Sequence, residues 1–215
     1  CTYLTMQITC ISDTHNFHDR LSLPASGDLI IHAGDLTEAG TKRELEDFFE
    51  WFSQLPFTYK ICIAGNHDFY LEHISSSEFE ELLPENVIYL NDSGVILEGI
   101  HFWGSPYIPY QEPWAFSKPA EEIQQHWKKI PDNTDILITH TPPKGILDET
   151  NKQIEVGCPY LRKTIETQQP KLHIFGHLHE NYGKVRLNNT LFINATSFIN
   201  NLRISNTPIQ VNFSD

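Results

Sequence analysis

Five apolar runs rich in β-branched residues, at 6–12, 28–33, 59–64, 135–140 and 171–175, each stop at a polar cluster. Short runs of this kind, bounded by turn residues, read as buried strands. Between the second and third runs, 42–55 (KRELEDFFEWFSQL) carries apolar residues at 45, 48, 49, 52 and 55 with acids opposite, the spacing of an amphipathic helix. Segments 119–129 and 159–168 also predict helices, each with a proline near its start. Shorter strands are expected at 86–90, 94–98, 100–104, 182–187, 190–194 and 208–213, with Asn188-Asn189 as a hairpin turn. The first part alternates strand and helix and the last part reads as a meander. The expectation is a layered α/β fold with two sheets inside and helices outside.

The 215 residues suit a single domain spanning 1–215, long enough to bury roughly 70% of the unfolded surface without disulfides. Charge excludes one class of partner. The 28 acids against 15 bases give −13 with no basic block, whereas a duplex-binding protein needs a positive footprint. Long nucleic acid is therefore not expected, although one phosphate group can still be met by a local cationic centre. Cys10 and Cys62 lie in apolar runs, Cys158 precedes Pro159, and there is no CxxC, which fits a reducing compartment. With no secretory signal and no apolar run near the ~20 residues of a membrane helix, a cytoplasmic location and no membrane partner are expected. Met6 is the only methionine, so residues 1–5 read as an upstream remnant. Nothing in the sequence indicates an oligomeric state.

The chemistry concentrates where the five runs end. They are followed by Asp13-Thr14-His15, Gly34-Asp35, Gly65-Asn66-His67-Asp68, His140 and Gly176-His177-Leu178-His179. Ligands usually gather at the strand ends of α/β sheets. Mixed imidazole and carboxylate donors suit borderline divalent ions such as Mn, Fe, Co, Ni or Zn, and there is no thiolate quartet for structural zinc. In Asp13-x-His15 and His177-x-His179 the two-residue spacing places both side chains on one face of an extended chain. Each cluster alone is a weak signal; all five in this order are a specific one.

These motifs resemble the calcineurin-like metallophosphoesterases. The likeness spans nearly the whole chain, and GDLTEAG (34–40), HTPPKGILD (140–148), VGCPYL (156–161), HIFGHLHENYG (173–183) and FINAT (192–196) are closest to the metallophosphoesterase-domain-containing, brain protein-like branch of phosphodiesterases. The GDLT form also resembles bacterial class III cyclic-nucleotide phosphodiesterases. The resemblance implies a four-layer αββα sandwich, two mixed β-sheets flanked by helices. It implies two divalent transition metal ions, manganese first, with Fe, Zn, Co or Ni as alternatives. One ion would take Asp13, His15, Asp35 and His179; the other would take Asp35, Asn66, His140 and His177. His67 would face the phosphate and protonate the leaving group, oriented by Asp68, after attack by a metal-bridging hydroxide. The GDxxDRG form of protein phosphatases is absent, since Gly34-Asp35 is followed by Leu36-Thr37-Glu38-Ala39.

The expected activity is hydrolysis of a small phosphodiester, with a 2′,3′- or 3′,5′-cyclic nucleotide as the substrate class. A phosphomonoesterase or pyrophosphohydrolase on a small nucleotide-like substrate is the alternative, and a non-catalytic scaffold the third reading. Segment 104–119 (GSPYIPYQEPWAFSKP) is irregular and aromatic. Tyr107, Tyr110 and Trp114, with Asn66 and His67, are candidate substrate contacts, and the loop packing its own rings is the competing expectation. His32 reads as a core histidine, His18 as a solvated loop or a substrate contact, and Glu44, Glu46, Asp47 and Glu50 as a solvated helix face.

Overall fold

The computed structural model describes residues 5–199 and 203–214; the expected remnant at 1–5 lies outside them except for Thr5. In chain order the strands are β1 (Thr5–Ile11), β2 (Gly27–His32), β3 (Phe57–Cys62), β4 (Ile88–Tyr89), β5 (Ser93–Leu97), β6 (Ile100–Ser105), β7 (Ile108–Pro109), β8 (Ser117–Lys118), β9 (Ile136–Thr139), β10 (Leu172–Phe175), β11 (Gly183–Leu187), β12 (Thr190–Asn194), β13 (Phe198–Ile199), β14 (Arg203–Ile204) and β15 (Ile209–Ser214). The helices are α1 (Lys42–Ser53), α2 (Phe69–His73), α3 (Ser76–Leu82), α4 (Ala120–His126) and α5 (Pro159–Gln168).

Two mixed sheets result. One has the order β15-β1-β2-β3-β4, parallel except for β15; the other runs β11-β12-β10-β9-β6-β5, with a parallel centre and an antiparallel strand at each edge. Asn188, at φ 52°, turns β11 into β12 as a two-residue hairpin. The C-terminal part is not the expected meander. β12 lies parallel to β10, and β15 leaves for the other sheet, where it pairs antiparallel with β1 from Thr5↔Ser214 to Cys10↔Ile209. Two short helices, α2 and α3, were not expected. Ser75 caps α3 through the Glu78 amide, a Ser-x-x-Glu spacing that the sequence does display.

Burial follows the layers. Ile8, Cys10, Leu29, Ile31, Ile61 and Ile63 of one sheet face Phe102, Ile136, Ile138, Ile174 and Ile193 of the other. On the outer face of the first sheet, α1 sets Leu45, Phe48, Phe49 and Phe52 against Ile11, Ile30 and Cys62. Each such side chain contributes roughly 1.5–3 kcal/mol by leaving water. Helix α1 starts where Thr41 and Glu44 form a reciprocal capping box. On the other outer face, Ile123, Trp127, Leu161 and Ile165 cover Leu137, Phe175 and Phe192. The order of layers is therefore helix, sheet, sheet, helix.

Two histidines are part of this core. His32 Nε2 meets Thr14 Oγ1 at 2.8 Å. Thr139 Oγ1 donates to the Thr141 carbonyl, so it accepts from His173 Nε2 at 2.8 Å and leaves His173 Nδ1 without a partner. Burial pushes the His173 pKa down to about 3. The unfolded chain takes up this proton below about pH 6.5 while the fold refuses it, so the contribution to stability is complete above that pH and is lost as pH falls toward 3. We expect stability in urea to fall from pH 7 to pH 5 with a component of about 1 kcal/mol per pH unit from His173. The His173→Leu variant should show the shallower slope; parallel slopes would refute the assignment.

Candidate metal centre

The parallel strands β1, β2 and β3 of one sheet and β9 and β10 of the other end at a common edge. Their last carbonyls and amides stitch the loops together: Asp13 N donates to Gly34 O, His15 N to Asp35 O, and Gly176 N to His140 O. The backbone then turns in an unusual way. Asp13 (φ 53°), His15 (45°), Asp35 (54°) and His177 (70°) are all in the left-handed region. Each such non-glycine residue costs on the order of 1–3 kcal/mol, and concentrations of this strain mark functional sites. Glycines admit the close approach. A Cβ on Gly65 would collide with the Asp35 carboxylate, and one on Gly176 with the Asp13 carboxylate and the Ser12 hydroxyl.

The seven side chains expected as ligands are brought together. Asp13 Oδ1 lies 3.4 Å from His179 Nε2, which is 3.5 Å from His15 Nε2. Asp35 Oδ2 lies 3.7 Å from His15 Nε2 and 3.3 Å from His140 Nε2, between the two halves. Asn66 Oδ1 is 2.9 Å from His140 Nε2, and the His177 ring is 5.1 Å from the His140 ring. Asp13, His15 and His179 form one group able to hold an ion, Asp35, His140 and His177 a second, and His15, Glu38 and His67 a third that shares His15 with the first. The His140 Nδ1–H donates to the Ala33 carbonyl at 2.9 Å, which aims Nε2 inward.

The electrostatics fit cations. Asp13 and Asp35 are buried, and despite that burial the neighbouring imidazoles hold both carboxyls well below the ordinary carboxylate range: His179 and His140 for Asp13, His140 and His15 for Asp35. His140 and His15 are raised to about 9, their burial being outweighed by these acids, and for His15 by Glu38 as well. His177 is instead lowered to about 4 by burial and by His140. A buried pair of carboxylates requires positive charge, which the imidazoles supply as protons and divalent ions can supply instead. The donor set of imidazole, carboxylate and amide oxygen suits borderline divalent metals.

His67 sits beside this cluster. Its ring lies between His15 (4.6 Å, edge-on) and Trp114 (4.5 Å, tilted 30°), and Nδ1 donates to the Glu38 carbonyl at 2.7 Å. Asp68 was expected to orient this ring, but it does not face it. The buried Asp68 carboxylate instead accepts from Gly65 N (2.7 Å), Leu36 N (3.2 Å), Thr37 N (2.9 Å) and Thr37 Oγ1 (2.6 Å), clamping the 34–37 loop to the 65–68 loop. Burial and the nearby Asp35 raise its pKa to about 6.

A cavity of about 470 Å³ opens over the cluster, lined by Asp35, Asn66, His67, Thr141, His177 and His179 below and by Ile108, Tyr110, Trp114, Val156 and Leu178 at the walls. The 104–119 loop divides its rings. Trp114 and Tyr110 face the cavity, whereas Tyr107 packs on Phe116 (5.6 Å) and His126 (4.4 Å) and is not among the lining residues. His18 is neither solvated nor near the cavity: it is buried beneath α1 against Trp51, with Asp47 at 3.3 Å. Glu38 was not singled out in the sequence, yet its Oε2 lies 2.8 Å from His15 Nδ1.

Residues 6–181 match the family model described as calcineurin-like phosphoesterase. The chain belongs to this family. As a calcineurin-like phosphoesterase, it is 39% identical over 229 residues to human metallophosphoesterase domain-containing protein 1, covering 95% of this chain and 70% of that protein. It is 38% identical to a UPF0046 protein of Caenorhabditis elegans, covering 95% and 74%. Among solved structures, one crystal structure superposes with a TM-score of 0.70 at 18% identity, covering 89% of this chain and 90% of that one. The TT1561 protein of Thermus thermophilus gives 0.64 at 17%, covering 89% of each. These structures share the fold. The family implies divalent metal ions and phosphoester hydrolysis, and the phosphoesterase carries candidate ligand groups for such ions.

Because Asp68 joins two loops rather than touching the cavity, its removal should act on folding. We expect Asp68→Ala, which leaves several buried N–H groups unpaired, to lose about 2–4 kcal/mol of stability. His67→Ala should stay within about 1 kcal/mol of wild type. Denaturant unfolding of the two variants checks this, and equal stabilities would contradict the clamp.

Proposed function

We propose that this phosphoesterase is a binuclear metal-dependent phosphodiesterase for small phosphodiesters, with cyclic nucleotides as the substrate class. Asp13, His15, Asp35 and His179 would hold one ion, and Asp35, Asn66, His140 and His177 the other, with manganese the first candidate. Bound there, such ions supply a water acidified to near-neutral pH and positive charge for the phosphoryl oxygens.

The chain's own groups do the rest. The Glu38 carbonyl keeps a proton on His67 Nδ1, so Nε2 is the nitrogen that exchanges the proton delivered to the leaving oxygen. His15 and Trp114 hold the ring on both sides. Ile108, Pro109, Tyr110, Trp114, Val156 and Leu178 give walls for an organic group attached to phosphorus. The observation that carries the diester reading is the charge of the cavity: among the described residues, no Lys or Arg lines it. Two divalent ions against Asp13, Asp35 and the attacking hydroxide leave an excess of about one positive charge, which matches a diester monoanion better than a monoester dianion.

The test compares bis(p-nitrophenyl) phosphate with p-nitrophenyl phosphate, using metal-stripped protein reloaded with Mn²⁺. Diester turnover should exceed monoester turnover and vanish in Asp35→Asn. On diesters with alkoxide leaving groups, His67→Ala should lose roughly a hundredfold or more, and far less on nitrophenyl esters. Monoester preference would overturn the diester reading, and equal losses on both leaving groups would remove the acid role of His67.

A further inference from the structure

Glu38 lies in the short loop between Asp35 and the start of α1, and hydrogen bonds to side chains hold the loop's backbone. Leu36 N and Thr37 N donate to Asp68, Glu38 N to Asn16 Oδ1 (3.3 Å), and Ala39 N and Thr41 N to the Glu44 carboxylate (3.0 and 2.9 Å). Gly40 O accepts from Tyr70 N, and a Cβ at Gly40 would strike the His67 carbonyl and Phe69. A loop this tightly held fixes the direction in which the half-exposed Glu38 side chain leaves the backbone. That direction puts the Glu38 carboxylate 2.8 Å from His15 Nδ1 and 3.8 Å from His67 Nδ1.

His15 itself is 2% exposed, and its Nε2 faces Asp35 and His179. The ring therefore stands between the metal-ligand cluster on one side and a carboxylate on the other. An outer carboxylate on the far nitrogen of a ligating imidazole fixes its tautomer, holds its plane and raises its basicity toward the metal. The same residue supplies, through its backbone carbonyl, the partner of His67 Nδ1.

We propose that Glu38 is a positioning residue for the metal centre: its carboxylate pairs as an ion with the outer side of the His15 ring at Nδ1, so that Nε2 is presented to the ion shared with Asp13, Asp35 and His179. The inference rests on the two-metal reading above, but not on the identity of the substrate. Glu38 does not line the cavity. Its role is to set the affinity and geometry of one half of the centre.

The experiment is calorimetric titration of Mn²⁺ into metal-stripped protein for wild type, Glu38→Gln, Glu38→Ala and the control Glu46→Gln. Glu46 is an exposed acid on α1 outside the site, so its variant reports only the general loss of one negative charge. Glutamine keeps the length and polarity of the side chain but loses the charge, and alanine loses both. We expect one of the two Mn²⁺ affinities to fall about tenfold in Glu38→Gln and up to about a hundredfold in Glu38→Ala. The control should change less than about twofold, in keeping with surface charges acting weakly through solvent. The metal-free variants should unfold at the wild-type denaturant midpoint, which separates positioning from folding. Equal Mn²⁺ affinities in wild type and Glu38→Ala would overturn the proposal, as would a wild-type protein that binds no Mn²⁺. A wild type that binds two ions but prefers monoesters would overturn the diester reading and leave the Glu38 result standing.

Discussion

The structure turns on two carboxylates, Asp13 and Asp35, that are almost wholly inaccessible to solvent at the place where two sheets meet. An uncompensated buried carboxylate is too costly to keep, so the surroundings must provide opposite charge and hydrogen bonds. They do so from several directions. His177 N donates to Asp13, His67 N donates to Asp35, and His179, His140 and His15 stand within 3.7 Å. These groups come from separate strand ends of both sheets, so the demand of one small charged volume links the layers to each other. A site that concentrates negative charge this way is also one that divalent cations can satisfy.

Strain has the same origin. Four of the clustered residues occupy left-handed backbone, and glycines stand where any Cβ would strike a carboxylate. Such conformations persist only where the surroundings over-determine them. Here the clamp by Asp68, the capping box at Thr41 and Glu44, and the aromatic core beneath α1 do that. Stability stored in the helix–sheet layers thus offsets the cost of presenting side chains in geometries that the backbone alone disfavours.

Much of the site was legible because strand ends announce themselves. An apolar run that stops at Asp-Thr-His or Gly-His-Leu-His states where the chain leaves the core and what chemistry it carries there. Contacts between chemically ordinary residues were not legible. Glu38 follows Asp35 in a polar loop and has no spacing signal, yet its carboxylate meets His15, which belongs to the preceding strand end. Asp68 follows His67 and so suggested a partnership, but its hydrogen bonds go to Leu36 and Thr37, more than thirty residues away. Tyr107 and Trp114 looked equivalent in one aromatic segment, and the pairing of β7 with β8 sends them in different directions.

Periodicity and turn chemistry, acting over a few residues, specified the strands of the two large sheets, the buried face of α1 and the inventory of ligand-type residues. They also required that the outer faces be covered by helices, since α1 carries an apolar stripe that must be buried. Long-range packing settled which sheet receives the last strand, which carboxylate lies between the two halves of the cluster, and which acid stands behind His15. Those outcomes depend on strand pairing and on electrostatic compensation between groups far apart in sequence, and neither is encoded in local pattern.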